Sequence, residues 1–271
     1  MFSPRAALDI QPPPSTGQGS VEAGTVRVRQ HVNPLARRWR QPLTLPPDWF
    51  ATAFADPSLP LIVDVGVAKG RFLLRLAGSQ PKFNHLGLEI REPLVHQANR
   101  AAATAGVSPN LFYLACNANV ALAPVLRDVS PPHALTAVYI QFCDPWFKKR
   151  HAKRRMVNDA LVQDIFSALT ASQGAHPPNE PLRERRVFVQ TDVLEVAEEM
   201  RSLFDDHDGF ERLGTAHGFE EGDNGWLLHN PTGEPTEREI AVRNNNGSVY
   251  RALFRLRTVP TVQVNPPTVV N

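Results

Sequence analysis

Cysteine is scarce in this chain, with only Cys116 and Cys143 among 271 residues. The two stand too far apart for a short metal-ligand spacing. The nine histidines are scattered, with no Cys-x-x-Cys or His-x-x-x-His pattern, so no metal site is expected. Two reduced, half-buried thiols fit a reducing compartment. Long hydrophobic runs are also missing. None approaches the roughly 20 residues that a membrane span needs, and the chain reads as a soluble, intracellular protein with no membrane partner. Net charge is only +2, so the whole-chain balance selects no class of partner. The first 24 residues lack the apolar stretch of a secretory signal. Rich in Pro, Gly, Ser and Gln, they read as a disordered tail. Arg is sparse there and Asp9 and Glu22 are present, which counts against a plastid or mitochondrial transit peptide. The expected organisation is a tail over 1–26, one domain over 27–257 and a second tail over 258–271.

What is present is uneven. Five arginines and no acid lie between Arg27 and Arg40, and six Lys/Arg plus His151 lie between Lys148 and Arg155. Acids gather at Glu195 to Asp208 and at Glu220 to Glu239. Concentrated basic segments in a near-neutral chain give a local positive surface suited to a polyanion.

Between Leu61 and Leu256, short apolar runs alternate with helical periodicity. Strands are expected at Leu61 to Val65, His85 to Ile90, Leu111 to Cys116, Ala134 to Phe142 and Arg186 to Thr191. Helices are expected at Lys69 to Gly78, Pro93 to Ala105, Val120 to Val129 (against the grain of Pro124), Met156 to Ser172 and Val193 to Asp205. A last pair, Phe210 to Gly214 and Val249 to Leu256, reads as an antiparallel hairpin across a long loop. The fold class is therefore α/β: a doubly wound, mostly parallel, seven-stranded Rossmann-like sheet with a C-terminal antiparallel hairpin. By fold-level analogy, that closing pair is the layout of class I methyltransferases rather than of nicotinamide dehydrogenases.

The first strand runs into Asp64-Val65-Gly66-Val67-Ala68-Lys69-Gly70. A glycine turn at the carboxyl end of a first strand lets a ligand approach the backbone closely. Glu89 ends the second strand, 23 residues past Gly66, where a carboxylate can accept hydrogen bonds from both ribose hydroxyls of an adenosine. This pair serves NAD and S-adenosylmethionine almost equally. The spacing departs from G-x-G-x-x-G and leans toward the methyl donor, which has no pyrophosphate to cradle. Read alone, the turn is also a plain strand-to-helix connection, and Glu89 a solvated strand-end acid. Asn117-Ala118, after the third strand, is placed to face an adenine, or else to satisfy its own turn.

After the fourth strand comes Gln141-Phe142-Cys143-Asp144-Pro145-Trp146-Phe147-Lys148-Lys149-Arg150-His151. Ligands of an open α/β sheet lie off the carboxyl ends of its strands, so Asp144 is expected beside the reacting group. The basic run that follows is unfavourable as a mere helix start, because cations oppose the positive end of the helix dipole; phosphate binding is the simpler reading. The stretch resembles the signature of tRNA (guanine-N7)-methyltransferases at Phe142, Asp144, Pro145, Trp146, Lys148, Lys149, Arg150, His151, Lys153 and Arg154. The resemblance extends over about Arg27 to Leu256. His31 to Ala36 (HVNPLA) is similar to an N-terminal element of the plant, cyanobacterial and eukaryotic branches. Gly87 to Glu92, Gln190 to Asp192 and Pro235 to Glu239 are similar to further family motifs. The resemblance implies that Gly66, Glu89, Arg91, Asn117 and Ala118 bind S-adenosyl-L-methionine and that Asp144 is the active-site acid. It implies that Lys148, Asp192, Thr236 and Glu239 contact the substrate nucleotide, with Lys149, Arg150 and Arg154 on tRNA. No metal is implied. The family includes single-chain branches and branches that need a β-propeller (WD-repeat) subunit, and settings in cytoplasm, plastid or nucleus. Val67-Ala68 stands where the family usually has Cys-Gly, and Cys143 where it has Pro, which bears on how the first loop closes on the donor.

Three other readings compete. A nicotinamide-dependent oxidoreductase accounts for the glycine turn and Glu89 but not for the Asp-Pro-Trp and basic stretch. A non-catalytic RNA-binding subunit accounts for the altered loop, and a small-molecule methyltransferase needs no polybasic segment.

Overall fold

A computed structural model of the protein describes residues 31–127, 135–172 and 184–257. The two expected tails, and Arg27 and Arg29 of the first basic segment, lie outside the described residues, as do Val129 and Ala134 at the ends of expected elements.

Seven strands form one sheet: β1 (Leu61–Val65), β2 (Asn84–Glu89), β3 (Leu111–Ala115), β4 (Leu135–Gln141), β5 (Arg186–Thr191), β6 (Phe210–Leu213) and β7 (Tyr250–Leu256). Their order is β3-β2-β1-β4-β5-β7-β6. The first five pair in parallel, while β7 pairs antiparallel with both β5 and β6. The expected hairpin is therefore present, and its second strand sits inside the sheet, next to β5. The helices are α1 (Trp49–Ala53), α2 (Arg71–Ser79), α3 (Glu92–Thr104), α4 (Ala118–Arg127), α5 (Asp159–Ala171), α6 (Leu194–Asp205) and α7 (Glu237–Asn244).

Alternation along the strands divides the core. Leu61, Val63, Val138, Ile140, Val187, Val189 and Phe254 face α4, α5 and α6. On the other face, Leu111 and Tyr113 meet α2 and α3, and Phe188 and Leu253 pack with Leu213 and Leu227. Strands buried on both faces explain why the parallel segments read as near-continuous apolar runs.

One expected helix forms despite its proline, and three other helices depart from expectation. Helix α4 runs through Pro124; burial of Ala121, Leu122, Val125 and Leu126 offsets the lost backbone bond, which alone costs about 3 kcal/mol. Helix α5 starts at Asp159, not Met156, capped by Asn158, whose side chain accepts from the Leu161 N–H. The basic run therefore does not form the first turn of α5. It occupies a separate 3-10 segment, Lys149–Arg154, so repulsion from the α5 dipole does not act on it, and its exposure is what favours phosphate. Helices α1 and α7 have no counterpart in the sequence pattern; α7 is short and largely polar, without an apolar face to read.

Phe204 is fully buried, stacks on Phe254 at 5.0 Å and meets Phe210 edge-on at 5.3 Å. Phe204→Ala should lower the unfolding free energy by about 3–5 kcal/mol. Urea denaturation checks this; a loss well under 1 kcal/mol would contradict the packing of α6 against β7.

Candidate active site

The chain passes outward through β1, β2 and β3, then returns to β4 on the other side of β1. At that switch point the loops after adjacent strands diverge and leave a crevice. The cleft there is open to solvent, with about 140 Å³ of cavity space. Gly66 and Ala68 after β1 line it, with Glu89 and Arg91 from β2, Asn117 and Ala118 after β3, and Asp144 and Trp146 after β4. Arg154 and Met156 close one wall, Val32 and Pro34 the other.

The loops are held in unusual conformations. Among the described residues four non-glycine positions have positive φ, and three of them (Ala68 at 51°, Phe142 at 49°, Trp146 at 44°) line this cleft. Such strain costs about 1–3 kcal/mol per residue and persists where the surroundings enforce it, as at functional sites. Gly66 has φ 86°, and a Cβ there would meet the Met156 methyl at 3.1 Å. The missing side chain keeps the cleft floor open, as close approach of a ligand to backbone requires.

Glu89 is 4% exposed and fully engaged. One oxygen accepts from the Arg91 N–H at 2.9 Å and from Arg91 Nε at 2.8 Å. The other accepts from the Ala68 N–H at 2.9 Å and Arg91 Nη2 at 3.1 Å. The carboxylate thus fastens the first loop to the second strand. Ribose hydroxyls would have to take the positions now filled by the Arg91 guanidinium, which is the one displaceable partner.

Asn117 departs from expectation. Its amide donates to the Pro34 carbonyl at 3.2 Å and the Trp39 carbonyl at 3.0 Å, so it is spent on backbone and does not face the cleft as a free adenine reader. It fastens the segment His31 to Arg40 across the cleft. At the start of that segment, His31 Nδ1 lies 2.9 Å from Asp144 Oδ2, both half-exposed. Arg37, Arg38 and Arg40 are carried on the same segment, and all three are exposed.

The basic run divides. Lys148, Lys149, Arg150 and Lys153 are exposed, with no acid paired to them among the described residues. Arg154 lies over the Trp146 ring at 5.0 Å, and its Nε is buried without a partner. Arg155 is structural: it donates to the Pro145 carbonyl at 2.9 Å and to Glu195 at 2.7 Å, and it pairs with Glu199. It binds the Asp144 loop to α6. Glu195 and Glu199 are four apart and share a helix face, but nothing in the sequence marks Arg155 as their partner.

The expected substrate contacts on the far side do not gather at the cleft. Asp192, one residue beyond β5, is 19% exposed and pairs with Arg238. Thr236 caps α7, its hydroxyl accepting from the Glu239 N–H at 3.0 Å. Glu239 is 0% exposed, with both oxygens committed: Arg251 at 2.8 Å on one, Asn230 at 2.8 Å and Gln190 at 3.2 Å on the other. A substrate cannot reach it as it stands, so its expected contact is corrected to a supporting role. Glu239 terminates a buried polar row that no sequence periodicity revealed. Asp64, Gln141, Gln190 and Arg251 lie side by side on β1, β4, β5 and β7, joined at 3.3, 2.7 and 3.2 Å.

Burial pushes the Asp64 carboxyl up to about 7; the Gln141 bond opposes this and the Glu89 charge adds to it. Burial likewise raises the Cys116 and Cys143 thiols to about 12, so both cleft cysteines stay protonated. Among the described residues no three His, Cys, Asp or Glu side chains are grouped to hold a metal.

A seven-stranded sheet of this order, closed by an antiparallel pair and carrying a glycine-turn cleft at its switch point, is the architecture of the class I S-adenosylmethionine-dependent methyltransferases. Residues 58–252 match the family model described as a putative methyltransferase. A tRNA (guanine-N(7)-)-methyltransferase of Synechococcus elongatus is 49% identical over 229 residues, spanning 84% of this chain and 96% of the relative. Proteins of the same description from Trichormus variabilis and Synechocystis are 45% and 44% identical, over 84% and 85% of this chain and 95% and 97% of theirs. The chain belongs to this tRNA (guanine-N7)-methyltransferase family.

Because Asp64 holds its proton more tightly folded than unfolded, its contribution to stability is full below about pH 4 and is lost as pH rises toward about 7. Relative to Asp64→Asn, the wild type should therefore lose stability over that window and level off above it. Urea midpoints of both proteins from pH 4 to 8 check this, and a constant difference would contradict burial of the carboxyl.

Proposed function

We propose that the chain transfers the methyl group of S-adenosyl-L-methionine to N7 of a guanosine in tRNA. The observation that carries this reading is Asp144 at the edge of the switch-point cleft, followed within a few residues by four unpaired exposed cations. An acid at the reaction centre beside a phosphate-binding rim suits an enzyme acting on a nucleic-acid base. The identity with tRNA (guanine-N(7)-)-methyltransferases spans nearly their whole length, which supports the same substrate. No described helix is long and apolar enough to cross a membrane.

The residues fit the donor. The open floor at Gly66, the Glu89 carboxylate and the wall at Ala118 suit an adenosine. When bound, S-adenosylmethionine supplies an electrophilic methyl on a sulfonium. Guanine N7 carries a lone pair and no proton, so no base is needed before attack. The protein's work is placement and charge. Lys148, Lys149 and Arg150 draw in the phosphate backbone, while the Trp146 turn positions the base. Positive charge grows on the guanine as N7 is alkylated, and the Asp144 carboxylate stabilises it. Asp192 accepts from the N1–H and exocyclic amine, which selects guanine over adenine. Glu239 and Thr236 act behind it by fixing α7. We place the work in the cytoplasm, where Cys116 and Cys143 stay reduced. Activity of the purified chain alone, against activity only with a β-propeller subunit, decides between the two arrangements found in the family.

Asp144→Asn should keep tRNA affinity within about two-fold and lower turnover by about 10²-fold or more. Full turnover in this variant would sink the electrostatic role. Replacing Lys149 and Arg150 with Ala should weaken tRNA binding and reduce the slope of log affinity against log salt by roughly 0.7–0.9 for each phosphate no longer neutralised. An unchanged slope would mean that the rim does not touch RNA.

A further inference from the structure

Asp192 is already occupied. Arg238 Nη2 donates to its Oδ2 at 2.5 Å, from the first turn of α7. The chemistry of that occupant bears on what the carboxylate recognises. A guanidinium presents adjacent N–H donors in one plane, the geometry that matches a carboxylate. The Watson–Crick edge of guanine, with its N1–H beside its exocyclic amine, presents donors in the same planar arrangement; adenine does not.

The ion pair is not needed to hold α7 in place. That helix is anchored by the buried Glu239–Arg251 pair at 2.8 Å, by the Thr236 cap and by Glu237 on Arg71. The preceding turn is tied to α2 through Arg75, which contacts Glu234 at 3.4 Å. Arg238 itself is 60% exposed and Asp192 19%, so the arginine can swing into solvent and leave the carboxylate behind. Asp192 follows β5 as Asp144 follows β4, and the two strands pair in parallel with Gln141 opposite Gln190. The two acids therefore emerge from neighbouring strand ends on one edge of the sheet.

We propose that Arg238 is an internal stand-in for the substrate guanine: it occupies Asp192 in the free protein and is displaced when the base arrives. The proposal rests on the reading of Asp192 as the base-selecting acid. Its consequence is a competition inside the chain. Binding must break the single Arg238–Asp192 contact, so a base that offers the carboxylate two N–H donors gains over the arginine and a base that offers only one does not.

The test opposes the ordinary expectation. Removing a cation from an RNA-binding enzyme normally weakens binding. Here Arg238→Met should lower KM for tRNA by about two- to five-fold, the scale of an exposed ion pair, with kcat little changed. Arg238→Lys, which keeps a charged donor, should stay nearer to wild type. In an Asp192→Asn background, Arg238→Met should no longer lower KM. An unchanged or raised KM in Arg238→Met, with Asp192→Asn impaired, overturns the stand-in and leaves Asp192 as base reader. Wild-type kinetics in Asp192→Asn overturns the reading of Asp192 itself.

Discussion

The carboxylate of Glu89 holds the donor end of the molecule together. Through four N–H bonds from Ala68 and Arg91 it fixes the loop after β1 to the end of β2, and Ala68 adopts its left-handed conformation within that clamp. The open floor at Gly66, and the wall that Met156 forms against it, depend on this arrangement. A buried carboxylate needs such partners. Arg91 supplies three of the four bonds, so the acid is paired in the free protein and still has one partner that a ligand's hydroxyls can replace.

The same logic recurs on the other side of the sheet. Glu239 is buried deeper and fully satisfied by Arg251, Asn230 and Gln190, and these partners are carried on β7, the loop before α7 and β5. It serves as an anchor rather than a contact. The row of Asp64, Gln141, Gln190 and Arg251 connects this anchor to the strand that ends in the donor loop. Burying a polar row across four strands is costly unless every member is bonded, and here each member has a partner. Two acids of the same type thus take different roles, set by whether their partners can leave.

Much of this was legible in the sequence. The strands that carry the site are apolar runs buried on both faces, and Gly66, Glu89, Asn117 and Asp144 at or just past their ends all line one cleft. Positions immediately after a strand are fixed by the strand itself, which is why residue order alone locates them. Partners distant in the chain were not legible. Asn117 reaches back to Pro34 and Trp39, His31 meets Asp144, Arg155 crosses to α6, and Glu239 turns inward to Arg251. Each of these side chains has the type expected of a ligand contact, and only its tertiary neighbours reveal that it is engaged elsewhere. Helix α7 escapes a sequence reading because it is held by ion pairs and a cap, which leave no hydrophobic period.

A cleft and basic rim that work as described methylate one atom of one base. The direct measurement is to incubate the purified protein with isotopically labelled S-adenosylmethionine and unmodified tRNA, digest the RNA, and analyse the nucleosides. Label is expected in 7-methylguanosine and in no other nucleoside. Label in a different nucleoside, or transfer to small molecules but not to tRNA, would contradict this mechanism.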